Sequence, residues 1–393
     1  VDVIRPSTAR GNLRFWWRAL RGHEFTSVED LYAVESALWG RAAKDEGGRA
    51  AVEIRIEVQE AGEIDASDID PMNTPGAYAL WPAREERKTN RPPAPRRMPG
   101  TQFRLTILAP ASCETEVRNT VRAWILFGGY GSRTRRGLGS LTVTEDAHIW
   151  LPANASRKGF ESLFGRDLFA PPSRPAVDTP WLAGAALHIG KGERDAAKAW
   201  TTALEWLQKF RQGTEGGPGD RAREPGTGKP QPDRPSISNW PEADKVRRLK
   251  GQRTAHRPRH NAALAWPRAG FGLPITLRFQ RKARNGVRLD EPDDCELRWR
   301  SGGEEHDRLA SPLIVKALPL ADGTFLPCAL WLNRAFPNGE VVVRGVNNSA
   351  APFDRLIASG DTPRFSALLN KQSLREAFLD WLHARYHTTV VAP

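Results

Sequence analysis

The sequence predicts an α+β protein in two parts, and three observations carry that expectation. Strictly alternating segments such as Ala51-Val-Glu-Ile-Arg-Ile-Glu-Val58 are interspersed with segments whose apolar residues recur every three to four positions. Stretches dense in Gly, Pro and charge, at 61–100 and 213–236, punctuate them. The length, 393 residues, is enough for two or three domains, each with a conventional core.

In chain order, residues 12–22 read as a helix. At about 100° per residue it places Arg10, Arg14, Arg18 and Arg21 on one face and Leu13, Trp16, Trp17 and Leu20 on another. The aromatic stripe has the spacing of a buried face, so it reads as core before it reads as a base-stacking platform. The arginine stripe is different. Four like charges in register repel unless something negative lies along them, and a phosphate backbone would serve.

Ser27 to Gly40 follows as a second helix, with Ser27 and Asp30 as a start resembling a capping box and Leu31, Val34, Ala37 and Leu38 as its apolar face. A strand at 51–58 leads into the excursion at 61–100, which carries Arg84, Arg87, Lys88, Arg91, Arg96 and Arg97. That segment reads first as a flexible basic loop and second as an RNA-contacting arm. After a strand at 101–109, residues 112–127 read as a helix with Ser112 as N-cap, Glu114 and Glu116 in the first turn, Val117, Val121, Trp124 and Ile125 on one face, and Gly128 as the stop. Residues 140–147 read as a strand. The order is α-β-β-α-β, and one strand ahead of Val1 would complete the βαββαβ pattern of a ferredoxin-like (RRM-like) domain.

Between that helix and strand lies Phe127-Gly-Gly-Tyr-Gly-Ser-Arg-Thr-Arg-Arg-Gly-Leu-Gly-Ser140. Glycines let a backbone take positive φ and come close to a ligand, while the forks of Arg133, Arg135 and Arg136 suit phosphate oxygens. A nucleotide-binding P-loop runs strand, glycine loop, helix and ends in Gly-Lys-Ser/Thr; here the order is reversed and the lysine is missing. Mononucleotide hydrolysis is therefore disfavoured. The plain alternative is a glycine-rich connection with solvated arginines.

The second half is less legible. Asp195 to Gln212 reads as an amphipathic helix through Trp200, Leu204, Leu207 and Phe210, and 213–236 as a linker. Lys245 to Arg268 carries Lys245, Arg247, Arg248, Lys250, Arg253, Arg257, Arg259 and Arg268 with no acid after Asp244; it fits a second RNA-contacting strip or a solvated basic loop equally well. Strands near 273–279, 313–319, 324–332 and 341–346 and a helix from Ser373 to Tyr386 complete a second α+β domain.

Lys and Arg outnumber Asp and Glu by 58 to 46, which favours a nucleic acid or an anionic surface as partner. There is no long apolar run and no cleavable leader, so neither a membrane nor secretion is indicated. Cys113, Cys295 and Cys328 are far apart in sequence, which fits a reducing, cytoplasmic setting with no disulfide framework. His23 is a candidate general base, although a histidine at a helix end also serves as a favourable charge against the dipole. His256 and His260 have metal-like spacing but lack companion ligands, and no metal or cofactor is expected.

Taken together, Arg5-Pro-Ser-Thr-Ala-Arg-Gly-Asn-Leu-Arg-Phe-Trp-Trp-Arg-Ala-Leu20, Leu38-Trp39-Gly40 and the glycine loop resemble the first-numbered Cmr subunits of type III-B CRISPR effector complexes, a branch of the RAMP superfamily. The resemblance covers residues 1–145, with a weaker echo at Arg308-Leu-Ala-Ser-Pro-Leu-Ile-Val-Lys316 and at Phe325 to Leu332. It implies two ferredoxin-like domains with long insertions, divided here as 1–150 and 151–393, with the first strand expected ahead of Val1. It further implies no catalytic site and a place holding the 3′ part of a guide RNA and its paired target RNA beside other Cmr subunits. The implied contacts are Arg5, Arg10, Arg14, Arg18, Arg133, Arg135 and Arg136, with Gly129, Gly131, Gly137 and Gly139 shaping the loop. Lys250 and Arg253 are added from the second basic strip. Two alternatives stay open: an endoribonuclease of the same superfamily acting on repeat RNA, with His23 as base, and a scaffold subunit whose tryptophans dock neighbouring proteins.

Overall fold

The structure is a computed structural model describing residues 3–41, 47–48, 50–86, 89–213, 240–252, 263–279, 291–357 and 365–393. Helix α1 (Pro6–Arg21) begins ahead of the expected residue 12 because Pro6 sits in its first turn, where a missing N–H costs nothing. Helix α2 (Val28–Trp39) is capped as the sequence indicates, the Ser27 hydroxyl accepting from the Asp30 amide at 3.0 Å. Its buried face differs from the expected one. Leu31, Glu35, Leu38 and Trp39 point inward while Val34 and Ala37 are exposed, because the helix is turned to set Glu35 against the arginines of α1.

Strand β1 (Glu53–Glu60) leads to a small hairpin, β2 (Ile64–Asp65) with β3 (Arg96–Arg97), which encloses the short helix α3 (Ala77–Leu80); β4 (Gln102–Leu108) then returns antiparallel to β1. The register sets Ile54 opposite Ile107 and Ile56 opposite Leu105, all packed on the core, while Arg55, Glu57, Arg104 and Thr106 face out. Helix α4 (Glu114–Phe127) follows a 3-10 turn at Ala111–Cys113, so its N-cap is Cys113 and not Ser112. The expected strand at 140–147 is replaced by an extended segment and the short helix α5 (Ala147–Trp150). Leu141 and Val143 do alternate inward onto the core, but among the described residues no strand pairs with them, and alternation without a partner makes no ladder.

Several elements went unread in the sequence, among them the helix at Glu242–Leu249, the strands at Cys295–Ser301, Glu304–His306 and Thr389–Ala392, and the next two in the chain. Helix α6 (Arg157–Phe164) is capped by Ser156. Strand β5 (Trp181–Ile189) is buried along almost its whole length, so it lacks the alternation that marks half-buried strands. Next come helix α7 (Ala196–Gln212), helix α8 (Glu242–Leu249), and strands β6 (Ile275–Leu277), β7 (Cys295–Ser301) and β8 (Glu304–His306). The chain ends with strands β9 (Leu313–Pro319), β10 (Phe325–Asn333) and β11 (Glu340–Val343), helix α9 (Leu374–Tyr386) and strand β12 (Thr389–Ala392).

The chain divides into two compact units, each assembled from separate stretches of sequence. The first comprises 1–204, 314–335 and 390–393; the second comprises 205–313 and 336–389. In the first unit a four-stranded sheet has the order β12-β5-β10-β9, with β5 and β10 antiparallel. One core joins Leu13, Trp16, Trp17 and Leu20 of α1 to Val121, Trp124 and Phe127 of α4, Leu182 and Leu187 of β5, and Leu330 and Leu332 of β10. In the second unit the sheet order is β11-β7-β6, with β8 on β7, around Val246, Trp266, Leu297 and Val341. Phe210 there is fully buried among Phe365, Phe378 and Trp381, with ring centroids 5.0–5.1 Å away.

Edge-to-face aromatic packing of that kind leaves a large void when its central ring is removed. Phe210→Ala lowers the stability of the second unit by about 3–5 kcal/mol, read by urea denaturation followed through tryptophan fluorescence.

Candidate nucleic-acid interface

The glycine loop leaves α4 at Gly128 and closes on itself where the Tyr130 amide donates to the Gly139 carbonyl at 2.8 Å. Between them Arg133, at φ 59°, opens a 3-10 turn over Thr134–Arg136 that ends at Gly137, at φ 79°. The glycines at 137 and 139 are required by close packing. A Cβ at Gly139 would strike the Tyr130 carbonyl, and one at Gly137 would strike the Trp200 indole and lie 2.9 Å from the Val315 carbonyl. Gly131 is exposed at φ 98° with open space around it, and the Gly129 carbonyl accepts from the Trp124 indole at 3.0 Å.

Two contacts fasten the loop to the start of α1. The Arg5 amide donates to the Tyr130 hydroxyl at 2.8 Å, and the Arg135 guanidinium lies 5.6 Å from the Phe15 ring centroid. Burial, with the Arg334 guanidinium adding to it, lowers Arg135 to about 10, so it remains a cation at neutral pH. Arg136 reaches the Tyr78 carbonyl and ring at 3.5 and 5.1 Å. Arg5 itself is exposed, and the first turn of α1 carries neither an acidic residue nor a side-chain cap. The positive end of a helix, an exposed arginine and the arginine turn therefore belong to one neighbourhood.

The arginine stripe of α1 is answered from within the chain. Glu35, only 2% exposed, accepts from Arg14 at 2.6 Å and from Arg18 at 2.7 Å. Arg10 donates to the Trp39 carbonyl at 2.7 Å, and Arg14 also donates to the Gly40 carbonyl at 3.1 Å. Arg21 pairs with Glu24 at 2.6 Å and with Glu116. Two of the four aligned arginines, Arg14 and Arg18, thus find their negative partner in a buried carboxylate on α2, while Arg21 finds its own in Glu24 and Glu116. Its signal in the sequence was an acid four residues after Leu31, within the apolar stripe.

The second basic strip does not form a continuous surface. Lys245 and Arg247 are buried in α8, the first donating to the Ala263 carbonyl at 2.9 Å and the second paired with Asp244 and Glu291 at 2.9 and 2.8 Å. Arg268 pairs with Glu242 at 3.3 Å, and Lys250 reaches the Asp293 carbonyl at 3.4 Å. Neither the RNA-strip nor the solvated-loop expectation holds at Lys245 and Arg247, because a short amphipathic helix turns them inward against acids distant in sequence. Arg253, Arg257, Arg259, His256 and His260 lie outside the described residues, as do Arg87, Lys88 and residues 214–236. In the 61–100 excursion, Arg96 pairs with Asp65 at 2.5 Å and Arg97 donates to the Gly62 carbonyl at 2.7 Å.

His23 sits in a 3-10 turn after α1, its ring 6.3 Å from that of Trp181. Burial, then Arg166, Arg174 and Arg21, push its pKa below the ordinary value against the opposing pull of Glu24. Among the described residues, no group of three or more His, Cys, Asp or Glu could hold a metal ion, and no helix is long and apolar enough to cross a membrane.

Residues 1–142 match the model of the RAMP superfamily. Among solved structures, the chain is similar to Cmr1 from Pyrococcus furiosus in its apo form, at 13% identity and a TM-score of 0.50, over 99% of this chain and 91% of that one. It is also similar to a chain of the Type III-B Cmr-beta complex bound to cognate target RNA and AMPPnP, at 11% identity and a TM-score of 0.40, over 84% of this chain and 88% of that one. At 13% identity, the likeness to Cmr1 covers nearly the whole chain and speaks to fold alone. No curated protein sequence matches the chain.

Two residues that sequence reasoning passed over or took for core hold the RAMP loop. The Trp200 indole donates to the Arg136 carbonyl at 2.7 Å. Lys316 is fully buried, and its ammonium donates to the Ile125 and Gly128 carbonyls at 2.9 and 2.8 Å. Burial lowers Lys316 from 10.5 to about 8.

Replacing Glu35 leaves Arg14 and Arg18 facing one another without their shared carboxylate. Glu35→Ala costs about 2–4 kcal/mol in urea denaturation, less than for a fully buried pair because both guanidinium groups keep some contact with water. Lys316 binds its proton less tightly folded than unfolded, so between pH 8 and pH 10.5 the unfolded chain holds more protons and stability rises with pH. Thermal melts across that window rise for the wild type relative to K316M, which has lost the group.

Proposed function

We propose that this protein is a noncatalytic RNA-binding subunit of a type III-B CRISPR effector complex. In that role it holds the 3′ end of the guide RNA and the paired target RNA through backbone phosphates, beside other Cmr subunits in the cytoplasm. The observation that carries this is the arginine turn of the glycine loop, fastened to the uncapped start of α1 within a RAMP region. Guanidinium forks and a helix N-terminus are complementary to phosphate oxygens, and both lie where the sequence most resembles the Cmr family.

The fold favours the same reading. In chain order β5, α7, β9, β10, α9 and β12 follow the pattern βαββαβ, and the order β12-β5-β10-β9 is the order of a ferredoxin-like sheet. In the first part, α1, β1, β4 and α4 supply the matching helix-strand-strand-helix run. Two ferredoxin-like domains, assigned to 1–150 and 151–393 and carrying long insertions, are the inferred framework.

Among the arginines, the geometry ranks the contacts. Arg5, Arg133, Arg135 and Arg136 stand at the loop and the helix start. Arg10, Arg14 and Arg18 are engaged by α2 and would contribute through the field they share with Glu35. Binding of this kind is sensitive to salt and nearly indifferent to sequence, because base pairing between guide and target supplies the choice.

Charge reversal in R133E/R135E/R136E lowers RNA affinity by about 100-fold or more at low salt, measured by fluorescence titration with circular dichroism confirming the fold. Unchanged affinity sinks the site. Gel analysis of the same RNAs decides the chemistry: intact RNA fits a noncatalytic subunit, and cleavage lost in His23→Ala overturns it in favour of an endoribonuclease.

A further inference from the structure

Within this RNA-binding reading, on which the inference rests, we propose that Lys316 and Trp200 are positioning residues that set the arginine turn of the glycine loop for phosphate contact. Neither reaches an RNA ligand; each acts through the loop backbone.

A helix leaves its last carbonyls without intrahelical partners, and those groups form the negative end of its dipole. At the end of α4, the Ile125 and Gly128 carbonyls converge on the buried ammonium of Lys316. Lysine is costly to bury, and this one lies in a strand whose other residues are all buried and almost entirely apolar, Leu313-Ile-Val-Lys-Ala-Leu-Pro319. A methionine would fill the same space without the desolvation cost. What the ammonium adds is direction, because it fixes where the chain leaves α4 and therefore where the loop begins.

The far side of the loop is held by different atoms. The Trp200 indole donates to the Arg136 carbonyl, and the Gly137 backbone is pressed between that indole and the Val315 carbonyl, next to Lys316 in β9. Gly76, in the 61–100 excursion, also lies against the Trp200 ring, so one indole supports both the arginine turn and the segment bearing Tyr78, which Arg136 touches. The loop is thus clamped at its start by an ammonium and at its turn by an indole, both supplied by segments beyond residue 190. Among the described residues, the titratable group that bears on Lys316 is the Cys328 thiol on the neighbouring strand β10, itself pushed up to about 12 by burial and so neutral. Protonated at neutral pH, Lys316 keeps both bonds, with no carboxylate among the described residues to compete for them.

The experiment compares wild type, K316M and W200F. Amide hydrogen exchange reads the clamp without RNA. At Tyr130 and Gly137, whose amides bond within the loop, exchange becomes about 10-fold faster in K316M and W200F while the strands of the sheet keep their protection. Unchanged exchange at both amides overturns the inference. RNA titration over a range of salt then reads the consequence. Both variants bind about 10-fold more weakly with the salt slope reduced by about two, as phosphate contacts are lost. Weaker stability with affinity and slope intact would make the two residues merely structural and overturn the inference. Failure of the wild type to bind RNA would refute the functional reading, while the exchange result would still decide whether the clamp exists.

Discussion

The first compact unit depends on α1, whose opposite faces are satisfied by different neighbours. Trp16, Trp17, Leu13 and Leu20 enter the core shared by α4 and the four-stranded sheet, and burying large aromatic groups supplies most of the driving force there. The other face carries arginines in register, which would repel one another in the folded state without Glu35. A carboxylate nearly removed from water is tolerable only because two guanidinium groups bond it, and the two guanidinium groups are tolerable side by side only because of the carboxylate. The position of α2 follows from that reciprocity.

This arrangement separates the basic residues into two kinds that composition does not distinguish. Arginines of the first kind hold the molecule together: Arg14 and Arg18 on Glu35, Arg247 on Asp244 and Glu291, and Arg96 on Asp65. Those of the second kind cluster on a tight loop, where Arg135 lies by the Phe15 ring and Arg136 by the Tyr78 carbonyl and ring. An excess of 58 basic over 46 acidic side chains is therefore no measure of the charge left for an external partner, because part of it is spent inside the fold. The shape of the glycine loop is built into α4, β9 and α7.

Much of the fold was legible because local physics dominates it. Ser27 and Ser373 announce helix starts, and their hydroxyls accept from the Asp30 and Glu376 amides. The alternation in β1 and β4 survives as one packed face and one solvated face. Where burial is complete the pattern disappears, which is why β5 went unread. Where no described strand pairs with the segment the pattern misleads, as at Leu141 and Val143. The cap assigned to Ser112 moved to Cys113 because a 3-10 turn intervened, a detail settled by how the chain leaves β4.

By itself the sequence determined the α+β class, the amphipathic helices, the arginine loop and the likeness of residues 1–142 to the RAMP superfamily, because propensity, periodicity and motif are properties of neighbouring residues. Only the tertiary structure decided which charges are spent internally. Glu35 meets arginines from another helix, Arg247 meets Glu291, and Lys316 meets carbonyls nearly 200 residues earlier in the chain. Whether a charge faces water, an ion or a backbone dipole depends on what the fold brings beside it, and no local pattern encodes that.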